Sequence, residues 1–200
     1  MTILIVPGLH GSEPEHWQSR WEVDLDNVER VRQDNWEEPN LEIWLRTLLH
    51  YVERRPGAIL VGHSLGTILI AHLASHYSDL DIAGALLVAP ADPELLQTRI
   101  PCIASFAPLP ASPFQFPATL VASRTDPYMA QAQARSLAKI WGATFVDAGD
   151  VGHINVASGH GSWPEGLTWL KEVARRQPNV GHSDFVAERG GGGMGLCRAR

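Results

Sequence analysis

Cysteine is scarce in this 200-residue chain, with Cys102 and Cys197 its only two. Two cysteines cannot make a disulfide framework. The fold must therefore stand on a hydrophobic core, and a domain of this length is expected to bury about 70% of the surface its unfolded chain exposes. Long apolar runs are also missing. No segment approaches the roughly 18 uninterrupted apolar residues that a membrane helix needs. The opening run Ile3 to Val6 is too short for a signal-peptide core and has no basic residues before it, so a cytoplasmic protein with no membrane association is expected. Basic charge is in deficit, 16 Lys+Arg against 22 Asp+Glu for a formal net charge of −6, which opposes binding to nucleic acid. Metal signatures are missing too. His72 and His76 lie four apart on a helical stretch, but no third ligand follows and no H-E-x-x-H occurs. They are read as a surface pair, and neither metal nor cofactor is expected.

What the chain does contain is alternation. Ile3 to Val6, Ile59 to Val61, Ile82 to Ala89, Thr119 to Ala122 and Thr144 to Val146 are continuous apolar or β-branched runs, each closed by Gly, Pro, Ser or Asp. Such runs are expected of buried parallel strands, with Asn27 to Gln33 as a weaker edge candidate. Between them, Leu41, Trp44, Leu45, Leu48, Leu49 and Val52 recur at helical spacing. Further helices are expected from Ser64 to about Tyr77, after Asp126-Pro127 with Asp as cap and Pro at the first helical position, and from Pro164 to Arg176. Strands alternating with helices predict an α/β three-layer sandwich with a mostly parallel six-stranded sheet. Two stretches break the rhythm. Pro90 to Pro117 holds seven of the 14 prolines and reads as a long structured loop, a length that in compact domains goes with function or disorder. The segment after Pro178 carries Gly190 to Gly193 and no apolar periodicity. The expected division is one domain over 1–177 and a flexible tail over 178–200.

Chemistry concentrates at Gly62-His63-Ser64-Leu65-Gly66, a G-x-S-x-G pentapeptide. Composition alone yields one in roughly every fifteen chains of this length. Here it follows the strand ending at Val61 and opens a helix, the setting of a nucleophile elbow. Ser64 is the candidate nucleophile, and the N–H of Leu65, at a helix N-terminus, points where negative charge would develop on an attacked carbonyl. A hydroxyl needs a base, and the base an orienting carboxylate. His153 follows the strand Thr144 to Val146, and Asp126 follows Thr119 to Ala122. Asp92, after the preceding strand, is the runner-up acid. His10 and His16 sit in the first loop, where they could line the site, and Trp17 and Trp21 follow at helical spacing as core or as the floor of a pocket.

These residues resemble the α/β-hydrolase superfamily, and more narrowly the small serine hydrolases of the YdeN type and the mammalian retinoblastoma-binding serine hydrolase. The resemblance runs from residue 1 to about 175, through Val6 to Gly11, His16 to Gln18, the elbow, Ala122 to Tyr128 and Gly152 to Gly159. It implies a minimal fold without a cap domain, with Ser64 as nucleophile, Asp126 as acid and His153 as base. The loop after the first strand would supply a second oxyanion donor, the N–H of Leu9 or, failing that, of His10. Candidate pocket residues are His10, Trp17, His63, Phe106, Leu109, Ile154 and Asn155, with the phenylalanines and Leu109 of the proline-rich loop forming a small apolar rim. The implied activity is hydrolysis of small carboxylic esters or amides through an acyl-enzyme. An aminopeptidase or amidase, an acyl-carrier acyltransferase and an interaction module with a relict triad are the rivals. The expected partner is a small neutral ester or amide, given the acidic balance, and a protein partner stays open.

Overall fold

The sheet is built from six strands, β1 (Ile3–Val6), β2 (Val28–Arg30), β3 (Ala58–His63), β4 (Ile82–Val88), β5 (Ala118–Ala122) and β6 (Thr144–Asp147). They pair in the order β2-β1-β3-β4-β5-β6, every pair parallel. The computed structural model describes residues 1–176. The tail expected over 178–200, and Cys197 with it, lie outside the described residues.

Side chains alternate across the pleat and divide the core in two. Leu4, Val6, Leu60, Leu87 and Leu120 face the helices α2 (Leu41–Glu53), α3 (Leu65–His76) and α5 (Gln131–Trp141). Ile5, Ile59, Val61, Leu86 and Val121 face α1 (Trp17–Asp24) and α6 (Pro164–Arg175). Every residue of α3 from Leu65 to Leu73 is buried, as its all-round apolar character implies. The edge strands are less covered than the expected full burial. Val28, Glu29 and Arg30 of β2 are half-buried, and Thr144 and Asp147 of β6 are exposed, because each has a sheet neighbour on one side only.

Two local readings change places in the structure. The helix expected directly after Asp126-Pro127 begins instead at Gln131, with Ala130 before it and no side-chain cap. The same Asp-Pro pattern at Asp92-Pro93 does start a helix, α4 (Pro93–Leu96), whose first turn is capped by Asp92 Oδ1 accepting from the N–H groups of Glu94 and Leu95. The proline-rich segment thus holds α4 and a 3-10 turn over Pro101–Phe106 rather than loop alone. Its phenylalanines turn inward: Phe106 is fully buried, and Phe114 stacks on Trp141 with ring centres 5.3 Å apart. His72 is also not on the surface. It is buried, and its Nε2 bonds to the Phe106 carbonyl at 2.9 Å. No helix among the described residues is long and apolar enough to cross a membrane.

Candidate active site

Ser64 is the single residue between β3 and α3, and its backbone takes φ 55°, ψ −122°. A side-chain-bearing residue rarely adopts positive φ, and such strain clusters at functional sites. Crowding around the turn explains the flanking glycines. A Cβ on Gly66 would lie 2.1 Å from Val6 O, and one on Gly62 would lie 3.0 Å from Thr67 Cα. The loop after β1 comes equally close: a Cβ on Gly8 would meet Ser64 Cβ at 2.9 Å and Leu65 N at 3.0 Å. Loop and elbow therefore share one small space. Neither Leu9 N nor Leu65 N donates to an acceptor among the described residues, whereas His10 N donates to Trp36 O at 3.1 Å, which removes His10 as the fallback donor.

Past the ends of β5 and β6, Asp126 and His153 meet. Nδ1 of His153 lies 3.0 Å from Oδ1 and 2.9 Å from Oδ2 of Asp126, with the side chains 8% and 4% exposed. A carboxylate can only accept, so Nδ1 carries a proton, and in the neutral ring Nε2 keeps its lone pair. Asp126 Oδ1 also accepts from Tyr128 N at 2.9 Å, and the Tyr128 ring meets the imidazole edge-on with centres 4.4 Å apart. Two further bonds hold the histidine's backbone. His63 Nε2 donates to His153 O and Trp17 Nε1 to Ile154 O, both at 2.9 Å, across a turn in which Ile154 takes φ 49°. Asp92 takes no part: its Oδ2 accepts from Gln133 Nε2. Asp147 is tied to Arg124, whose guanidinium holds the carboxyl below its usual range.

A cavity of about 220 Å³ opens over Ser64. The first loop contributes Leu9, His10, Ser12, Glu13 and His16; the elbow contributes His63, Ser64 and Leu65; Tyr128, His153 and Asn155 complete the polar part. Ala91, Leu96, Ile100 and Ile103 supply an aliphatic wall. Of the expected pocket residues, His10, His63 and Asn155 line this space. Trp17, Phe106 and Ile154 do not, being fully buried in the core, and Leu109 packs half-buried against the core instead. Each lies on the expected segment with its side chain turned inward. Sequence reasoning missed Leu96, Ile100 and Ile103, which a helix start at Asp92-Pro93 would have signalled, and Tyr128, two residues past the acid. Lys and Arg are absent from the described lining. Among the described residues no group of three or more His, Cys, Asp or Glu is placed to hold a metal.

A family model described as serine hydrolase matches residues 3–172. The chain belongs to the serine hydrolase family. This serine hydrolase resembles a YdeN-like hydrolase of Pectobacterium atrosepticum at 35% identity, over 87% of this chain and 90% of that one, with a TM-score of 0.77. The ydeN gene product of B. subtilis shares the fold at 22% identity, TM-score 0.71, over 88% of this chain and 99% of that one. So does Est1E of Butyrivibrio proteoclasticus, solved with ferulic acid, at 14% identity and TM-score 0.65, over 87% and 86%. No curated protein matches the chain. Family and fold together make this serine hydrolase a YdeN-type α/β-hydrolase without a cap domain.

Proposed function

We propose that the protein hydrolyses small, uncharged carboxylic esters by acyl transfer through Ser64, His153 and Asp126. One observation carries the reading: the buried Asp126–His153 pair opens onto the same cavity as a serine strained onto an elbow. Asp126 fixes the imidazole tautomer and stabilises its charged form. His153 Nε2 takes the Ser64 proton as Oγ bonds to the carbonyl carbon, and the N–H groups of Leu65 and Leu9 receive the developing oxyanion. His153 then protonates the departing alkoxide, and water releases the acyl group through the same base. Ser64 Oγ and His153 share no hydrogen bond among the described residues; catalytic hydrogen bonds of this kind are often long or poorly aligned until substrate is held.

Cavity size and lining support the substrate class. At about 220 Å³ the cavity falls below the roughly 300–1,000 Å³ of pockets that hold drug-sized ligands, which suits a short or medium acyl chain. The lining has no cation to balance an anionic substrate. The test is kcat/KM over p-nitrophenyl esters of two to sixteen carbons, for wild type and Ser64→Ala. A maximum at or below about eight carbons that vanishes in Ser64→Ala is expected; activity climbing steadily to the longest chains contradicts the reading.

A further inference from the structure

The residues that follow Leu9 take an unusual path: His10, Gly11 and Ser12 have φ of 65°, 77° and 62° in succession. Left-handed backbone is costly for the two that carry side chains, and it persists only where the surroundings hold it. Local turn bonds supply part of that hold, with His10 N donating to Trp36 O and Gly11 N to Gly8 O, both at 3.1 Å. The carbonyls of Gly11 and Ser12 are held from further away, by Arg30 at the end of β2. Its Nη1 donates to both of them, its Nη2 to Ser19 Oγ at 2.7 Å and its Nε to Glu22 Oε2 at 2.7 Å. Ser19 Oγ in turn donates its hydrogen to Ser12 O at 3.1 Å. Ser19 and Glu22 lie three apart on α1 and so face β2 together. Four of the five guanidinium N–H groups are thus committed, on a side chain only 14% exposed. A lysine could face Glu22 equally well. Only a planar fork reaches two successive carbonyls while keeping that ion pair. Arg30 does not line the cavity over Ser64, so whatever it does for the chemistry passes through the loop it grips.

We propose that Arg30 is a positioning residue for catalysis: by gripping the Gly11 and Ser12 carbonyls it fixes the left-handed turn that sets Leu9 N–H beside Ser64 as an oxyanion donor. This role rests on the hydrolase reading above and adds to it a residue remote from the reacting atoms. Leu9 directly precedes the strained stretch, and Gly8 before it packs against Ser64 and Leu65. With the two carbonyls released, the peptides after Leu9 relax towards ordinary φ and turn the Leu9 N–H with them. An oxyanion donor acts only if it is aimed in advance at the place where charge develops, so the loss falls on the transition state more than on substrate binding.

Kinetics on p-nitrophenyl butanoate and a matched inhibitor pair test it. Butyl trifluoromethyl ketone adds to a serine as an oxyanion, whereas butyl methyl ketone does so poorly, so the ratio of their inhibition constants reads the oxyanion site alone. Removing an oxyanion donor outright costs about 10²–10³ in kcat. Arg30→Met, which displaces one, is expected to lose about 10- to 100-fold in kcat, with KM within about threefold and the inhibitor ratio falling in step. Arg30→Lys keeps the charge opposite Glu22 and one donor for the loop; it retains the fold and lies between Arg30→Met and wild type. Arg55→Met is the control for a loosened sheet edge, because it breaks the Arg55–Glu29 pair on the same strand without touching the loop, and its kcat and inhibitor ratio stay at wild-type values. Both Arg30 variants within about threefold of wild type in kcat and ratio, or equal losses in Arg55→Met, overturn the role of Arg30 and leave the hydrolase reading intact. No turnover of any ester, together with no Ser64-dependent fluorophosphonate labelling, overturns that reading and the proposal with it.

Discussion

Replacing Gly66 by alanine puts a Cβ 2.1 Å from Val6 O and 2.6 Å from Pro7 O. Ordinary contact begins near 3.4 Å, so α3 and the end of β1 must separate by about 1.3 Å. Both atoms struck are backbone, and no flexible side chain can yield. Overpacking a well-filled site costs about 1–3 kcal/mol, and with rigid elements on both sides the upper figure applies. For a domain of this size 1 kcal/mol lowers Tm by about 2–4 °C, so Gly66→Ala is expected to melt about 6–12 °C below wild type. Gly57→Ala is the control. Its Cβ meets nothing within 4 Å, but φ is +71°, so only the left-handed penalty of about 1–2 kcal/mol applies. Because the moving elements carry Leu65 N and Leu9 N, Gly66→Ala also slows labelling by an active-site-directed fluorophosphonate, whereas Gly57→Ala does not. Thermal unfolding followed by circular dichroism, with labelling rates on the same samples, reads both effects. A Gly66→Ala protein melting within about 2 °C of wild type and labelling at its rate would refute the close approach of loop and elbow.

Asp126→Asn is expected to lower kcat about 10⁴-fold through loss of the imidazole tautomer. Asp92→Asn keeps the oxygen that caps α4, so its kcat stays within about tenfold of wild type; steady-state kinetics on one short ester compares the two, and the reverse ranking would make Asp92 the acid. Stability is expected to fall in acid. His16 titrates at about 3 in the folded protein against 6.5 in the unfolded chain, so the unfolded state takes up the extra proton as pH drops below 6.5. That linkage costs about 2 kcal/mol by about pH 5, and buried His63 shifts in the same direction. Urea unfolding at about pH 7 and pH 5 checks it: His16→Asn loses less stability between the two than wild type does.

Elements whose burial follows from local pattern were legible in the sequence. All five apolar runs and the weak edge at Asn27 to Gln33 became strands, and the elbow, Asp126 and His153 all lie at the carboxyl end of the sheet, where strand-end position had put them. Side-chain direction was not legible. Trp17 and Ile154 sit beside lining residues in the chain yet point into the core, where the Trp17 indole N–H donates to the Ile154 carbonyl. The two Asp-Pro pairs show the same limit. As sequence they are equivalent helix starts, but the carboxylate of Asp126 is drawn to His153 while that of Asp92 is free to cap. Only the chain's return through β6 decides between them. His16 illustrates a third case. Its place before α1 marks it as a cap, and the unpartnered Nε2 emerges only when the packing around it is known.

Intact-protein mass spectrometry after treatment with a fluorophosphonate tests the central claim most directly, with the labelled peptide then mapped. The account predicts one adduct, on Ser64, absent from Ser64→Ala and formed far more slowly in Asp126→Asn. No adduct on wild type, or an equal one on Ser64→Ala, would contradict it.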